Sequence, residues 1–201
     1  MLTATALSCV RGERLLFAGL DLALKPGEWL HVQGENGAGK TSLLRILAGL
    51  SPPAAGEVRW QGEPIRTLAE EYRRHLLFLG HHGAVKEELT PLENLSFAAE
   101  LDGAALSEAE ALAALSRFGL RGREDLAVRF LSAGQKRRVL LARLAVRKAT
   151  LWILDEPFTA LDVKAVELLS NLIVEHVRGG GICILTSHQS IPLPNGKVLK
   201  I

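Results

Sequence analysis

Gly34-Glu35-Asn36-Gly37-Ala38-Gly39-Lys40-Thr41-Ser42 fits the pattern G-x-x-x-x-G-K-[ST] at Gly34, Gly39, Lys40 and Thr41. Its flanks agree with that reading. Trp29-Leu30-His31-Val32 ahead of it is apolar enough for a buried strand. Leu43, Leu44, Ile46 and Leu47 behind it have helical spacing, with Gly49 as a stop. Strand, glycine loop and helix together bind phosphate: glycines let backbone N–H groups turn toward an anion, and the helix N-terminus adds partial positive charge. In such a loop Lys40 reaches the β- and γ-phosphates of a nucleotide, and the Thr41 hydroxyl sits on Mg²⁺.

The chain of 201 residues is long enough for one domain, or for one domain with a lobe inserted, and 48% hydrophobic residues are ample for a core. A formal net charge of +2 gives no argument for nucleic acid as a partner. Cys9 and Cys183 are far apart and form no ligand pattern, which suits a reducing cytoplasm. Residues 1–5 lack a basic region followed by a long apolar run, so no signal peptide is expected. No window approaches 18 uncharged apolar residues, so any membrane attachment is expected to come through a partner.

Working outward from the loop, Leu20-Asp21-Leu22-Ala23-Leu24 alternates like a half-buried strand, and Lys25-Pro26-Gly27-Glu28 turns it into the strand before the loop. Glu57-Val58-Arg59-Trp60 followed by Gln61-Gly62 reads as a strand and a turn. These early strands are expected to be antiparallel and separate from the main sheet. Leu76-Leu77-Phe78-Leu79 is a further short strand. From 81 to 130 the character changes to helical. Thr90-Pro91-Leu92-Glu93 is a helix start with a capping Thr, Pro at the first position and Glu at the third; Ser107-Glu108-Ala109-Glu110 is a second capping box. The expected organisation is one domain over 1–201: an α/β core from 1–80 and 131–201, and a helical lobe at about 81–130.

Leu131-Ser132-Ala133-Gly134-Gln135 opens another helix, with Val139, Leu140, Leu144 and Val146 at its apolar positions. Lys136, Arg137, Arg138, Arg143, Arg147 and Lys148 read as its solvated face; a nucleic-acid patch is disfavoured because no aromatics interleave. Leu151-Trp152-Ile153-Leu154 is a continuous apolar run, as in a strand buried on both faces of a parallel sheet. Ala165, Val166, Leu168, Leu169, Leu172 and Ile173 mark an amphipathic helix that stops at Gly179-Gly180-Gly181. Ile182-Cys183-Ile184-Leu185-Thr186 is another core strand, ending at Ser187-His188. Asn195-Gly196 is a hairpin signal leading into Val198-Leu199-Lys200-Ile201.

Two acids at the tip of a buried strand are informative. Asp155 is placed to hold Mg²⁺ or its water opposite the phosphate loop. Glu156 is expected to point elsewhere, because strand neighbours alternate, and so to act on a water as general base.

The 131–135 stretch resembles the signature of the ABC ATPase family, which reads leucine, serine, glycine, glycine, glutamine; Ala133 stands at the first glycine. The resemblance covers essentially the whole chain, with the motifs in the family's order. Residues 34–42 match Walker A, 151–156 match Walker B with the catalytic glutamate, Ala160-Leu161-Asp162 matches the D-loop, and His188 matches the switch histidine. Taken alone, His188 would be read as a structural histidine; the motif order reverses that. The implied fold is a P-loop NTPase core of mainly parallel sheet, with an antiparallel β subdomain and a helical lobe. The implied activity is ATP hydrolysis with Mg²⁺, in a head-to-tail dimer of two ATPase subunits sharing two ATP sites. Leu131, Ser132, Ala133, Gly134, Gln135 and Asp162 of one subunit then face the ATP on the other, and Ser132 heads a second helix N-terminus suited to an anion.

Two positions depart from the family pattern. The aromatic residue that stacks on adenine falls at Arg11, whose planar guanidinium can also stack, with Phe17 a lesser substitute. The Q-loop glutamine falls at His81, followed by His82; a metal or haem site there is the sharper alternative. Gly27-Glu28-Trp29-Leu30-His31-Val32, Leu79-Gly80-His81-His82 and 151–162 are similar in wording to ATP-binding subunits of bacterial cytochrome c maturation systems. That similarity implies a peripheral subunit on the cytoplasmic face of the inner membrane, bound to integral permease subunits, powering haem delivery or haem-chaperone release without binding haem itself. The alternatives are the ATPase of another small exporter, or a soluble ABC ATPase of metallocluster assembly.

Overall fold

A computed structural model describes residues 1–80, 85–188, 191 and 193–201. The chain divides into two units, residues 1–81, 149–157 and 174–201, and residues 82–148 and 158–173.

The first unit contains two sheets. One is antiparallel, in the order β2-β1-β4-β5, from β1 (Leu2–Arg11), β2 (Arg14–Leu24), β4 (Ala55–Trp60) and β5 (Glu63–Pro64). The other is parallel throughout, in the order β6-β7-β8-β3-β9, from β6 (Leu76–Leu79), β7 (Leu151–Leu154), β8 (Ile182–Thr186), β3 (Trp29–Gln33) and β9 (Lys197–Lys200). The expected separation of antiparallel and parallel strands is observed. The apolar runs at 151–154 and 182–186 are buried at every residue, as strands of a covered parallel sheet must be.

Helix α1 (Lys40–Leu47) buries Leu43, Leu44, Ile46 and Leu47, all at 1% exposure or less. They join one apolar cluster with Leu2, Leu7 and Val58 of the antiparallel sheet and Leu30, Val32, Ile153 and Ile184 of the parallel one. Each such side chain contributes about 1.5–3 kcal/mol of burial, so the helix behind the phosphate loop is anchored from both sheets. Helix α2 (Ala69–His75) closes the cluster with Tyr72, whose buried hydroxyl donates to the Leu47 carbonyl at 2.6 Å.

Strands β1 and β5 and helix α2 of this unit escaped the sequence reading. Strand β1 did so because its alternation breaks: Ala6 has φ 50°, and the pairing register shifts between Ala4 and Leu7. The short α2 carries no periodic signal. One expectation is corrected. Asn195-Gly196 does not close a hairpin: β9 runs parallel to β3, with Leu30 opposite Lys197 and Gln33 opposite Lys200. Asn195 does adopt the left-handed conformation at φ 55°, but the strand it introduces pairs with a neighbour distant in sequence.

The second unit is helical. It contains α3 (Pro91–Leu101), α4 (Glu108–Arg117), α5 (Ala133–Val146) and the first part of α6 (Val163–Arg178). Both capping boxes form as expected, with Glu93 N–H donating to Thr90 Oγ1 at 3.1 Å and Glu110 N–H to Ser107 Oγ at 3.3 Å. The basic residues of α5 are not a solvated face. Arg143 and Arg147 are largely buried and converge on Asp102, at 3.8 and 3.2 Å, while Lys136 pairs with Glu87 at 2.6 Å. Guanidinium stems lie along apolar surface while their heads find carboxylates, which a helical count of charges does not reveal.

In the first unit His176 stacks on Trp152, ring centroids 3.9 Å apart and planes within 4°, and its Nε2 meets the Ile182 carbonyl at 3.2 Å. Burial holds its imidazole below the usual value of 6.5, against the raising effect of the Ile182 hydrogen bond. The unfolded chain therefore binds the proton more tightly than the folded one, so stability is full above about pH 6.5 and falls as pH drops through the lowered folded value. Thermal midpoints measured from pH 8 to pH 5 are expected to decline, and His176→Gln to flatten part of that decline.

Candidate active site

Because the second sheet is parallel, the C-terminal ends of β3, β7 and β8 lie along one edge, and each releases there a segment singled out in the sequence: the 34–42 loop, Asp155-Glu156, and Ser187-His188. They meet in a cleft of about 570 Å³, lined by Asn36, Gly37 and residues 39–42, by Asp155, Glu156 and His188, and by Leu16 of β2.

The loop's glycines answer to two different demands. Gly39, the residue before α1, has φ 110°, and a Cβ on it would sit 3.1 Å from Leu16 Cβ. Gly34 has an ordinary φ, but a Cβ would come within 2.5 Å of the Ile201 carbonyl oxygen. Gly39, the N-cap of α1, offers no side-chain cap, and the first turn of the helix, its positive end, lines the cleft. Lys40 is 9% exposed and donates from Nζ to the carbonyls of Gly34, at 2.8 Å, and Glu35, at 3.1 Å.

Asp155 is 2% exposed. Its Oδ2 accepts from Thr41 Oγ1 at 2.7 Å and its Oδ1 from Thr186 Oγ1 at 2.7 Å. Thr186, fully buried at the end of β8, also accepts from the Glu156 N–H at 2.8 Å. One hydroxyl thus spans both acids. Sequence inspection missed it, since a threonine ending an apolar strand looks like any β-branched residue.

Glu156 does diverge from Asp155, but for another reason than strand alternation. Strand β7 ends at Leu154, and Glu156 lies in the left-handed region at φ 50°, where a non-glycine residue is strained. The Thr186 bond holds it there. Its carboxylate is turned to His188: Oε2 accepts from the His188 N–H at 3.3 Å, and Oε1 lies 3.4 Å from the His188 Nε2.

Arg11 is exposed, and its guanidinium reaches Ser51 Oγ at 3.5 Å. The near wall of the cleft is Leu16, with the Arg14 guanidinium 3.9 Å from where a Cβ on Gly37 would stand. Phe17 is buried in the core. His81 and His82 lie outside the described residues.

In the second unit Ser132 is the N-cap of α5 and forms a reciprocal box with Gln135: Gln135 N–H to Ser132 Oγ at 3.3 Å, Ser132 N–H to Gln135 Oε1 at 2.9 Å. Leu131 is buried; Ser132 and Ala133 are exposed. A Cβ on Gly134 would stand 3.0 Å from the Ala160 carbonyl oxygen, so Gly134 is hemmed in where Ala133 has room for its methyl. Asp162 accepts from Ala165 N–H at 2.9 Å, heading α6, and pairs with Arg138. These two bonds, the backbone one first, lower its carboxyl pKa.

A parallel sheet that delivers a glycine loop, a lysine and two acids to one edge defines a P-loop nucleotide-binding protein. The chain belongs to the ABC transporter family, whose model matches residues 17–159, and is an ATP hydrolase of that class. It is 58% identical to the cytochrome c biogenesis ATP-binding export protein CcmA of Dechloromonas aromatica (strain RCB), across all of this chain and 98% of that one. It is 51% identical to the protein of the same name from Escherichia coli (strain K12), across all of this chain and 95% of that one. A solved ATP-binding subunit of an ABC transporter superposes with a TM-score of 0.81 at 30% identity, over 93% of this chain and 79% of that one.

Thr186→Val keeps the shape and removes the hydroxyl that spans Asp155 and Glu156. Loss of these buried partners is expected to cost about 1–3 kcal/mol in denaturant unfolding of the full chain, whereas Thr186→Ser stays close to wild type.

Proposed function

We propose that this chain is the ATP-hydrolysing subunit of an export complex of cytochrome c biogenesis, powering haem delivery or release of a haem-loaded chaperone. The observation that carries the reading is the single cleft joining Lys40, the Thr41–Asp155 pair and the Glu156–His188 pair, in a chain so similar to two named export proteins. We assign all of 1–201 to one ATP-binding domain, with 81–130 as a lobe inserted into it.

In this scheme residues 34–42 hold the phosphates, Lys40 exchanging its two loop carbonyls for phosphate oxygens, which are charge-assisted acceptors. Thr41 Oγ1 and Asp155 Oδ2 are two hard oxygens already in contact, a donor set that fits Mg²⁺. An ion held by these two oxygens would supply positive charge to offset that of the phosphates. Glu156 takes the proton of the attacking water at a carboxylate oxygen, a role worth about 10²–10⁴-fold in rate. His188, anchored to that carboxylate, orients the γ-phosphate and the water. Arg11, or else the Leu16 wall, supports the base.

Ser132, Ala133, Gly134 and Gln135 present a second helix N-terminus, and with Leu131 and Asp162 complete the ATP site of a second subunit in a head-to-tail dimer. His81 takes the Q-loop role. Among the described residues no helix is long and apolar enough to cross a membrane. In this reading the chain is a peripheral subunit on the cytoplasmic face of the inner membrane, held by integral permease subunits, with no nucleic acid and no direct haem contact.

Lys40→Ala is expected to weaken ATP binding by about 100-fold or more, the loss of one or two charge-assisted bonds; unchanged affinity by calorimetry would refute the phosphate-loop role. Glu156→Gln is expected to bind ATP and accumulate an ATP-held dimer, which size-exclusion chromatography reads directly. Captured with ATP from native membranes, the same variant should bring down integral cytochrome c maturation proteins. A different permease would keep the ATPase scheme and discard haem, and soluble partners alone would shift the reading to an assembly factor. Ser132→Arg should block turnover while sparing ATP binding by the monomer.

A further inference from the structure

His31 is a buried titratable side chain that the scheme above leaves unused. It is 7% exposed, on β3, three residues before Gly34. Its ring joins two segments: Nε2 lies 3.3 Å from the Ser187 carbonyl oxygen, and Nδ1 lies 3.0 Å from the side-chain nitrogen of Gln33. A carbonyl only accepts, so Nε2 carries the proton and donates. Nδ1 then presents a lone pair, and the Gln33 amide donates to it. With the Gln33 nitrogen turned to the ring, the neutral form makes both bonds and the charged form only one. Burial favours that neutral form, lowering the pKa against the opposing influence of the Ser187 bond and the Glu156 charge.

The register explains the reach. His31 stands opposite Leu185 on β8, and that strand ends at Thr186, so a side chain directed along the strand meets the Ser187 carbonyl just beyond the end. The Ser187 carbonyl and the His188 N–H belong to one peptide unit. Its N–H donates to Glu156 Oε2 at 3.3 Å, and its carbonyl accepts from His31. In a planar trans peptide these two groups point in opposite directions. His31 and Glu156 therefore grip the same plane from opposite sides, and the His188 ring hangs from that plane.

We propose that His31 is a positioning residue for ATP hydrolysis: by donating to the Ser187 carbonyl it fixes the Ser187–His188 peptide and so the aim of the His188 ring at Glu156. The proposal rests on the roles given above to Glu156 and His188. A small misplacement of an orienting group lowers the rate of the chemical step more than it lowers binding.

The test is steady-state ATP hydrolysis by the full-length chain in its membrane complex, with His31→Leu, His31→Gln, His188→Ala and the double variant His31→Leu/His188→Ala. His31→Leu is expected to lower kcat by about tenfold and to leave KM for ATP within about twofold. His31→Gln, which carries an N–H at comparable reach, should return kcat to within about threefold of wild type. In the His188→Ala background His31→Leu should lower kcat by less than about twofold, since residues acting as one unit are not additive. Should His31→Leu fail to fold, His31→Asn keeps a polar group in place but falls short of Ser187, and carries the same expectation. A full tenfold loss in the His188→Ala background, a raised KM with kcat intact, or a wild-type rate for His31→Leu would each overturn the proposal. If His188→Ala itself kept the wild-type rate, the role of His188 would fall and this proposal with it. An impaired His188→Ala beside an unimpaired His31→Leu would sink His31 alone.

Discussion

A carboxylate only 2% exposed has lost its water and needs hydrogen-bond donors from the protein in its place, and the architecture of the first unit turns on meeting that demand at Asp155. Two elements supply its carboxylate and a third fixes its backbone. The first turn of α1 sends the Thr41 hydroxyl, the end of β8 sends the Thr186 hydroxyl, and β6 accepts the Asp155 N–H on the Leu79 carbonyl at 2.8 Å. Each partner is correct only if β6, β7, β8 and α1 are all in register. The acid therefore records the arrangement of the sheet as well as contributing chemistry.

From that point the geometry spreads in two directions. Thr186 also takes the Glu156 N–H, and so holds Glu156 in a left-handed conformation that its side chain alone would not select. Glu156 in turn faces His188, which follows β8 directly. In the other direction Thr41 belongs to α1, whose four leucine and isoleucine side chains are clamped between the two sheets of the unit. The loop between β3 and α1 is thus fixed at both ends by buried apolar contacts, while its Asn36, Gly37 and Gly39 line the open cleft. Rigid ends and an open middle are what preorganised phosphate binding asks of a loop.

The second unit solves a different problem with local means. Its three helices α3, α4 and α5 each begin with a reciprocal cap, at Thr90, Ser107 and Ser132. At α5 that cap coincides with the exposed 132–133 corner, where the structure tolerates the Ala133 methyl but leaves no room beside Gly134. The departure from the family's signature at 133 is therefore sterically mild.

The sequence by itself determined whatever depends on neighbours within a few residues. The glycine pattern of the loop, the two caps read as T/S-x-x-E, and the apolar runs of β7 and β8 all carry their cause along the chain. Only the tertiary structure decided which strands lie side by side. The parallel addition of β9 to β3, the double use of Thr186, the grip of His31 on Ser187 and the pairing of Arg143 and Arg147 with Asp102 each join residues 30 or more positions apart. Hydrophobic periodicity says that a strand is buried and on which face, but the pleat is the same whichever strand it pairs with. The order of strands is fixed instead by the collective fit of side chains around α1 and by the need to satisfy every buried polar group, and no local stretch of sequence contains that sum.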